Sequence, residues 1–166
     1  MTLKIDYDRQ AFDRLARQVR EMRERAQDVS PAWDALLTWF AEQNFEQWLG
    51  RGARYRRPWA PLAPSTVSEK FRAGLPLHPL IRTGKLVNTL VHRPLGVEHM
   101  TGSEVTAGTD VKYAKFHQTG TRYMPQRILF SPGQIRKEQA ATTAVANWII
   151  SGERRVGGRT VMRGGR

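Results

Sequence analysis

Cysteine is absent from this chain of 166 residues. Its absence excludes a disulfide framework, thiolate chemistry and the usual thiolate-bound structural zinc. No run of 18 or more apolar residues occurs, so no segment reads as a membrane-spanning helix. The start, Met1-Thr-Leu-Lys-Ile-Asp6, has no apolar signal core, and export is not expected. These absences suit the cell interior or an assembled particle. Histidines number four, at 78, 92, 99 and 117. No two of them have the i, i+4 spacing of a helical metal site, and no carboxylate pattern accompanies them. Ser65, Ser68 and Ser131 lack a nucleophile-elbow context, and Gly50-Arg51-Gly52 is too short to cradle a phosphate. The acidic residues fall mostly on the polar faces of two N-terminal helices, which supports no two-carboxylate hydrolase. Neither an enzyme nor a cofactor or metal is expected.

Positive charge is plentiful. Net charge is +12, with 27 Lys and Arg against 15 Asp and Glu. Residues 1–50 hold seven basic and nine acidic residues, a balance of −2, and residues 51–166 hold twenty and six, a balance of +14. Such an excess draws a protein towards a polyanion or an acidic protein face. Charge alone does not separate the two.

The chain has the length of one domain. Asp8 to Asp28 reads as an amphipathic helix with Phe12, Leu15, Ala16, Val19, Met22 and Ala26 on one stripe. Ser30-Pro31 opens a second helix to Leu49, with Gly50 as a left-handed terminus. Its apolar positions, Trp33, Leu36, Leu37, Phe40, Phe45, Trp48 and Leu49, exceed a narrow stripe. Burial between the first helix and a sheet, or against a partner helix, would account for that breadth. A proline-stiffened loop follows, carrying Arg51, Arg54, Arg56, Arg57 and Trp59 to Pro64. It either folds back on the core or serves as a contact. A short helix spans 64–72, and a helical turn from 82 or 83 passes into a strand over 89–94. Residues 104–108 form its antiparallel partner with Gly102-Ser103 as the turn, and His92 and His99 could face each other across a hairpin. A short helix over 111–118, a short strand over 127–130 and a helix from Ser131-Pro132 to Ile150 complete the pattern. The fold class is α+β: a small antiparallel sheet against two long N-terminal helices and a C-terminal helix. Residues 1–150 form the domain, and 151–166 read as a flexible Gly/Arg-rich tail.

Three elements occur in a particular order. Trp59, Pro61, Leu62, Ser65, Thr66 and Lys70 come first, then Thr83-Gly84-x-Leu86, then Tyr113-Ala114-x-x-His117-Gln118-x-Gly120-Thr121. Met124-Pro125, Arg127 and the apolar residues after it continue the last element. Over roughly residues 30–150 this set resembles the phage virion morphogenesis (tail completion) proteins. The chain departs from that pattern at Pro125-Gln-Arg-Ile-Leu129, where the family often has Pro-Ala-Arg-Pro-Phe.

The resemblance implies a structural role in the virion, in the neck or tail of a tailed phage assembled in the host cytoplasm. A homo-oligomeric ring, six-fold, would sit between head-side connector or stopper proteins and tail tube proteins, as a tail completion or terminator component. Trp59, Pro61, Leu62, Thr83, Gly84, Leu86, Tyr113, His117, Gly120, Thr121, Arg122 and Arg127 are then expected at subunit or partner contacts. Arg51, Arg54, Arg56, Arg57, Arg154 and Arg155 are candidates to face DNA in the lumen. The alternatives are a non-specific DNA-binding protein acting alone and a small phage-encoded hydrolase.

Overall fold

Asp8 starts the first helix, α1 (Arg9–Gln27), by accepting hydrogen bonds on its carboxylate from the Gln10 and Ala11 amides. In the computed structural model, which describes residues 8–130, 134–156 and 159–160, none of the α1 residues is buried. The helix does not cover a sheet as expected. Asp28 is extended (φ −134°, ψ 103°) and turns the chain before the next helix, so α1 leaves the body. Its last turn is pinned by side-chain hydrogen bonds. Arg25 Nη1 donates to the Ile149 carbonyl at 2.7 Å, and Trp148 Nε1 donates to the Asp28 carbonyl at 2.7 Å.

The second helix, α2 (Ser30–Leu49), is the centre of the fold, which explains its breadth of apolar residues. Ala32 and Ala35 pack with Ala140 and Ala144 of α6 (Gln134–Ser151). Leu37 and Ala41 pack with Leu95 and the half-buried Val105. Trp48 joins Trp59, Leu86, Leu90, Val111, Ala114 and Leu129. Three small clusters strung along one helix therefore make the core.

Gly50 closes α2 with φ −80°, not in the left-handed region, which falls instead on Arg51 and Gly52 at φ 47° and 87°. This tight turn brings the Trp59 amide to the Arg51 carbonyl at 2.7 Å. Trp59 sits edge-on to Trp48 at 5.1 Å and donates from Nε1 to the Ile128 carbonyl. The proline-rich loop thus folds back on the core.

Helices α3 (Pro64–Arg72) and α4 (Lys85–Val91) follow. The expected strand over 89–94 does not form. Leu86 and Leu90, one turn apart, bury the same helical face, and Pro94 has no amide to give a ladder. The hairpin lies further on: β1 (Val97–Met100) pairs antiparallel with β2 (Val105–Gly108), from Val97 opposite Gly108 to Met100 opposite Val105. His99 accordingly faces Thr106, and His92 caps α4. Arg93 ties the hairpin to α2 by donating to the Glu98 carboxylate and to Asp34 and Thr38.

After the short α5 (Ala114–Thr119), residues 127–129 are buried but join no strand. Side chains take the place of a neighbouring strand. Gln47 Nε2 donates to the Ile128 carbonyl at 2.9 Å, and Gln118 Oε1 accepts from the Leu129 and Phe130 amides. The Ser131-Pro132 helix start lies outside the described residues. The tail expectation fails in part: Gly152 (φ 70°) ends α6, and β3 (Arg155–Val156) pairs with β4 (Arg159–Thr160). Val156 is fully buried against α2 and α6, so the chain just after 151 belongs to the core. The class is nevertheless α+β, as the sequence indicates.

Candidate functional site: a cationic groove built from three sequence elements

The Pro61–Pro64 stretch, the Leu80–Leu86 segment and the 113–127 region meet at a groove of about 890 Å³. The Trp48–Trp59 pair beneath fixes the first wall, because Gly52 leaves no gap: a Cβ there would meet Trp59 Cδ1 at 2.5 Å. Gly84 (φ 80°) makes the turn into α4 on the second wall. The third wall is α5 and the tip that follows, closed by the Thr121–Met124 bridge.

Two buried cations shape these walls. Lys70 Nζ donates to the carbonyls of Pro76, His78 and Ile81 at 2.9, 2.9 and 2.5 Å, tying the 75–81 loop to α3. Burial, and then the charge of Arg82, hold its pKa below the ordinary lysine value. Arg127 donates from Nε and Nη2 to the Ala60 and Pro61 carbonyls, so it binds the first wall to the third. Burial lowers the Arg127 pKa as well. His117 lies nearby, edge-on to Tyr113 at 5.9 Å. Burial first, and then the Arg127 charge, lower its pKa and favour the neutral ring. Its Nδ1 is buried without a hydrogen-bond partner.

No aspartate or glutamate lines the groove among the described residues. Arg127 is 7% exposed, yet among those residues it has only carbonyl acceptors and no carboxylate. Such a floor attracts an anionic or carbonyl-rich group supplied from outside. The rim is apolar and aromatic: Tyr123 is 89% exposed, with the Arg122 guanidinium 5.6 Å from its ring centre, and Leu62 and Met124 are half-buried. Exposed apolar and cationic groups thus share one surface. It has no nucleophile paired with a base, and no metal-holding cluster of His, Asp or Glu occurs among the described residues.

Of the residues expected at contacts, Pro61, Leu62, Thr83, Gly84, Leu86, Tyr113, His117 and Arg127 line the groove. Trp59 and Leu86 are buried, at 6% and 1% exposure, so Trp59 supports the wall from behind. Gly120 turns the chain at φ 75° against Gln126, beside the groove, and Thr121 and Arg122 stand on the exposed tip. The arginines form two separate groups. Arg51, Arg54, Arg56 and Arg57 lie past one end of α2, whereas β3, which carries Arg155, packs at the other. Arg54 is engaged by Glu46 and Gln43, and Arg155 by Glu153 at 3.2 Å. Arg154 is half-buried.

Leu80, Ile81 and Tyr123 also line the groove, and no spacing in the sequence marked them. Asn44 and Gln47, which hold the core side, are buried polar residues three apart within the apolar α2 run. That interruption is the signal available for them. Comparison with family models, with curated proteins and with solved structures finds no match to this chain.

Proposed function

We propose that the protein is a structural component of a phage neck or tail, a tail completion or terminator subunit that works as a ring between connector and tail tube. The observation that supports this most directly is the groove. The three elements that carry the family resemblance are separated by up to about 60 residues in the chain, yet they build one surface. Its exposed aromatic rim and its cationic floor without carboxylates suit a partner segment that brings backbone carbonyls and acidic side chains. A ring of identical copies offers each neighbour a different patch, and a groove of this kind can seat a neighbour's segment.

The test is made in the particle. Phage lacking the gene should accumulate filled heads and separate tails in electron micrographs, and wild-type protein supplied in trans should restore joined particles. A Lys85→Glu, Tyr123→Asp variant changes only exposed groove residues and should fail to restore joining while remaining folded. Normal particles without the gene would overturn the proposal. A second reading, non-specific DNA binding, is favoured by the exposed Arg51, Arg56 and Arg57 on one tight loop. A salt titration separates the two: nanomolar DNA affinity of the isolated protein at physiological salt would support the second.

A further inference from the structure

Helix α1 projects from the body with its apolar stripe in solvent. Leu15 and Val19 are 57% and 55% exposed, and the half-buried Ala16 and Met22 extend the same face. The helix is well made, with the Asp8 cap at one end and the Arg25–Glu21 pair near the other. Its 19 residues reach about 28 Å. An amphipathic helix of this length gains most of its stability by packing its stripe, so a built stripe left in water calls for an occupant.

The same chain carries a matching depression. A groove of about 920 Å³ opens between α2, β2, α5 and the first half of α6. Its lining is half-buried and apolar: Leu36, Trp39, Val105 and Ala141, with Phe40 and Phe130 stacked at 5.8 Å. The rim carries Asp110 and Glu138, exposed and with no ion pair among the described residues, beside Lys112 and Lys115. Arginines 20 and 23 border the α1 stripe, and the groove rim offers Asp110 and Glu138 to such cations.

A subunit does not fill its own groove. Arg25 and Asp28 hold the end of α1 at Trp148 and Ile149, in the last turn of α6, while the groove lies at Glu138 and Ala141, two or more turns away. No α1 residue lines the groove, and Leu15 and Val19 stay exposed. We propose that α1 of one copy seats its Leu15–Val19 stripe in the α2–β2–α6 groove of the next copy. The contact is head-to-tail, between two different patches, and such contacts propagate until a ring closes. The inference deepens the ring reading above, from which it takes only that copies stand side by side.

The absence of cysteine makes the test clean. A Leu15→Cys, Ala141→Cys double variant, oxidised in solution, should give a ladder of covalent multimers on denaturing gels that ends at one closed size. Either single variant should give none. Leu15→Asp, Val19→Asp, on exposed positions, should stay monomeric by light scattering with unchanged helix content and melting. Ala141→Arg should do the same, and mixing these two variants should yield one-to-one dimers and nothing larger. Dimers from Leu15→Cys alone would show helix-to-helix pairing and overturn the seat. Assembly of the aspartate or arginine variants at wild-type size would overturn it too, while leaving the ring reading standing. A wild-type protein that stays monomeric at every concentration would remove both.

Discussion

Lys70→Met isolates the ammonium from its aliphatic stem, because methionine keeps most of the volume and apolar contact. In the wild-type protein Nζ satisfies three carbonyls of the 76–81 loop. Each charge-assisted bond contributes about 1.5–3 kcal/mol against an unsatisfied acceptor. Relief from burying the ammonium offsets a large part of that sum, since the side chain is 5% exposed. The net loss expected is about 2–4 kcal/mol, or a melting temperature lower by roughly 4–16 °C for a domain of this size. Urea unfolding followed by tryptophan fluorescence reads it, because Trp48 and Trp59 lie in the same cluster as Leu86. The midpoint should fall without a change of slope. A loss below about 1 kcal/mol would refute the reasoning and show that water replaces the ammonium at those carbonyls.

Two further outcomes follow from the geometry. Gly52→Ala puts a Cβ within 2.5 Å of Trp59 Cδ1 and 2.7 Å of the Arg57 carbonyl at a φ of 87°. It should cost about 3 kcal/mol or more and shift the tryptophan emission to the red as the Trp48–Trp59 contact opens, and an unshifted spectrum with wild-type stability would contradict this. Glu98 accepts from Arg93 and from the Leu95 amide, and the Arg93 hydrogen bond holds its pKa below the ordinary glutamate value despite burial. A lowered carboxyl pKa stabilises the fold above the unfolded value and loses that stabilisation as pH falls through the folded value. Between pH 6 and pH 3 the wild type should therefore lose more stability than Glu98→Gln, in urea titrations at each pH. Equal slopes would exclude the ion pair as the cause.

Much of this protein is legible in the residue pattern because local physics acts there. The 3.6-residue periodicity and Asp8 mark α1, Ser30-Pro31 and the run to Leu49 mark α2, and Gly102-Ser103 marks the hairpin turn. The ordered motifs also pick out twelve of the groove residues. Where expectation and structure part, long-range contacts outweigh local signals. Leu90 reads as the start of a strand but is claimed by Trp48 and Leu129 for a helix face. Residues 127–130 look like a strand, yet their partners are the side chains of Gln47, Trp59 and Gln118, from distant parts of the chain. Val156 lies in a Gly/Arg-rich segment whose composition alone reads as disorder, and a small alanine-lined niche on α2 and α6 is enough to bury it. The amphipathic stripe of α1 is written in its periodicity, but periodicity says only that a face is apolar. Which surface that face meets depends on how the two-residue joint at Asp28–Val29 aims the helix, and that joint takes its direction from the Trp148 and Ile149 contacts more than a hundred residues away.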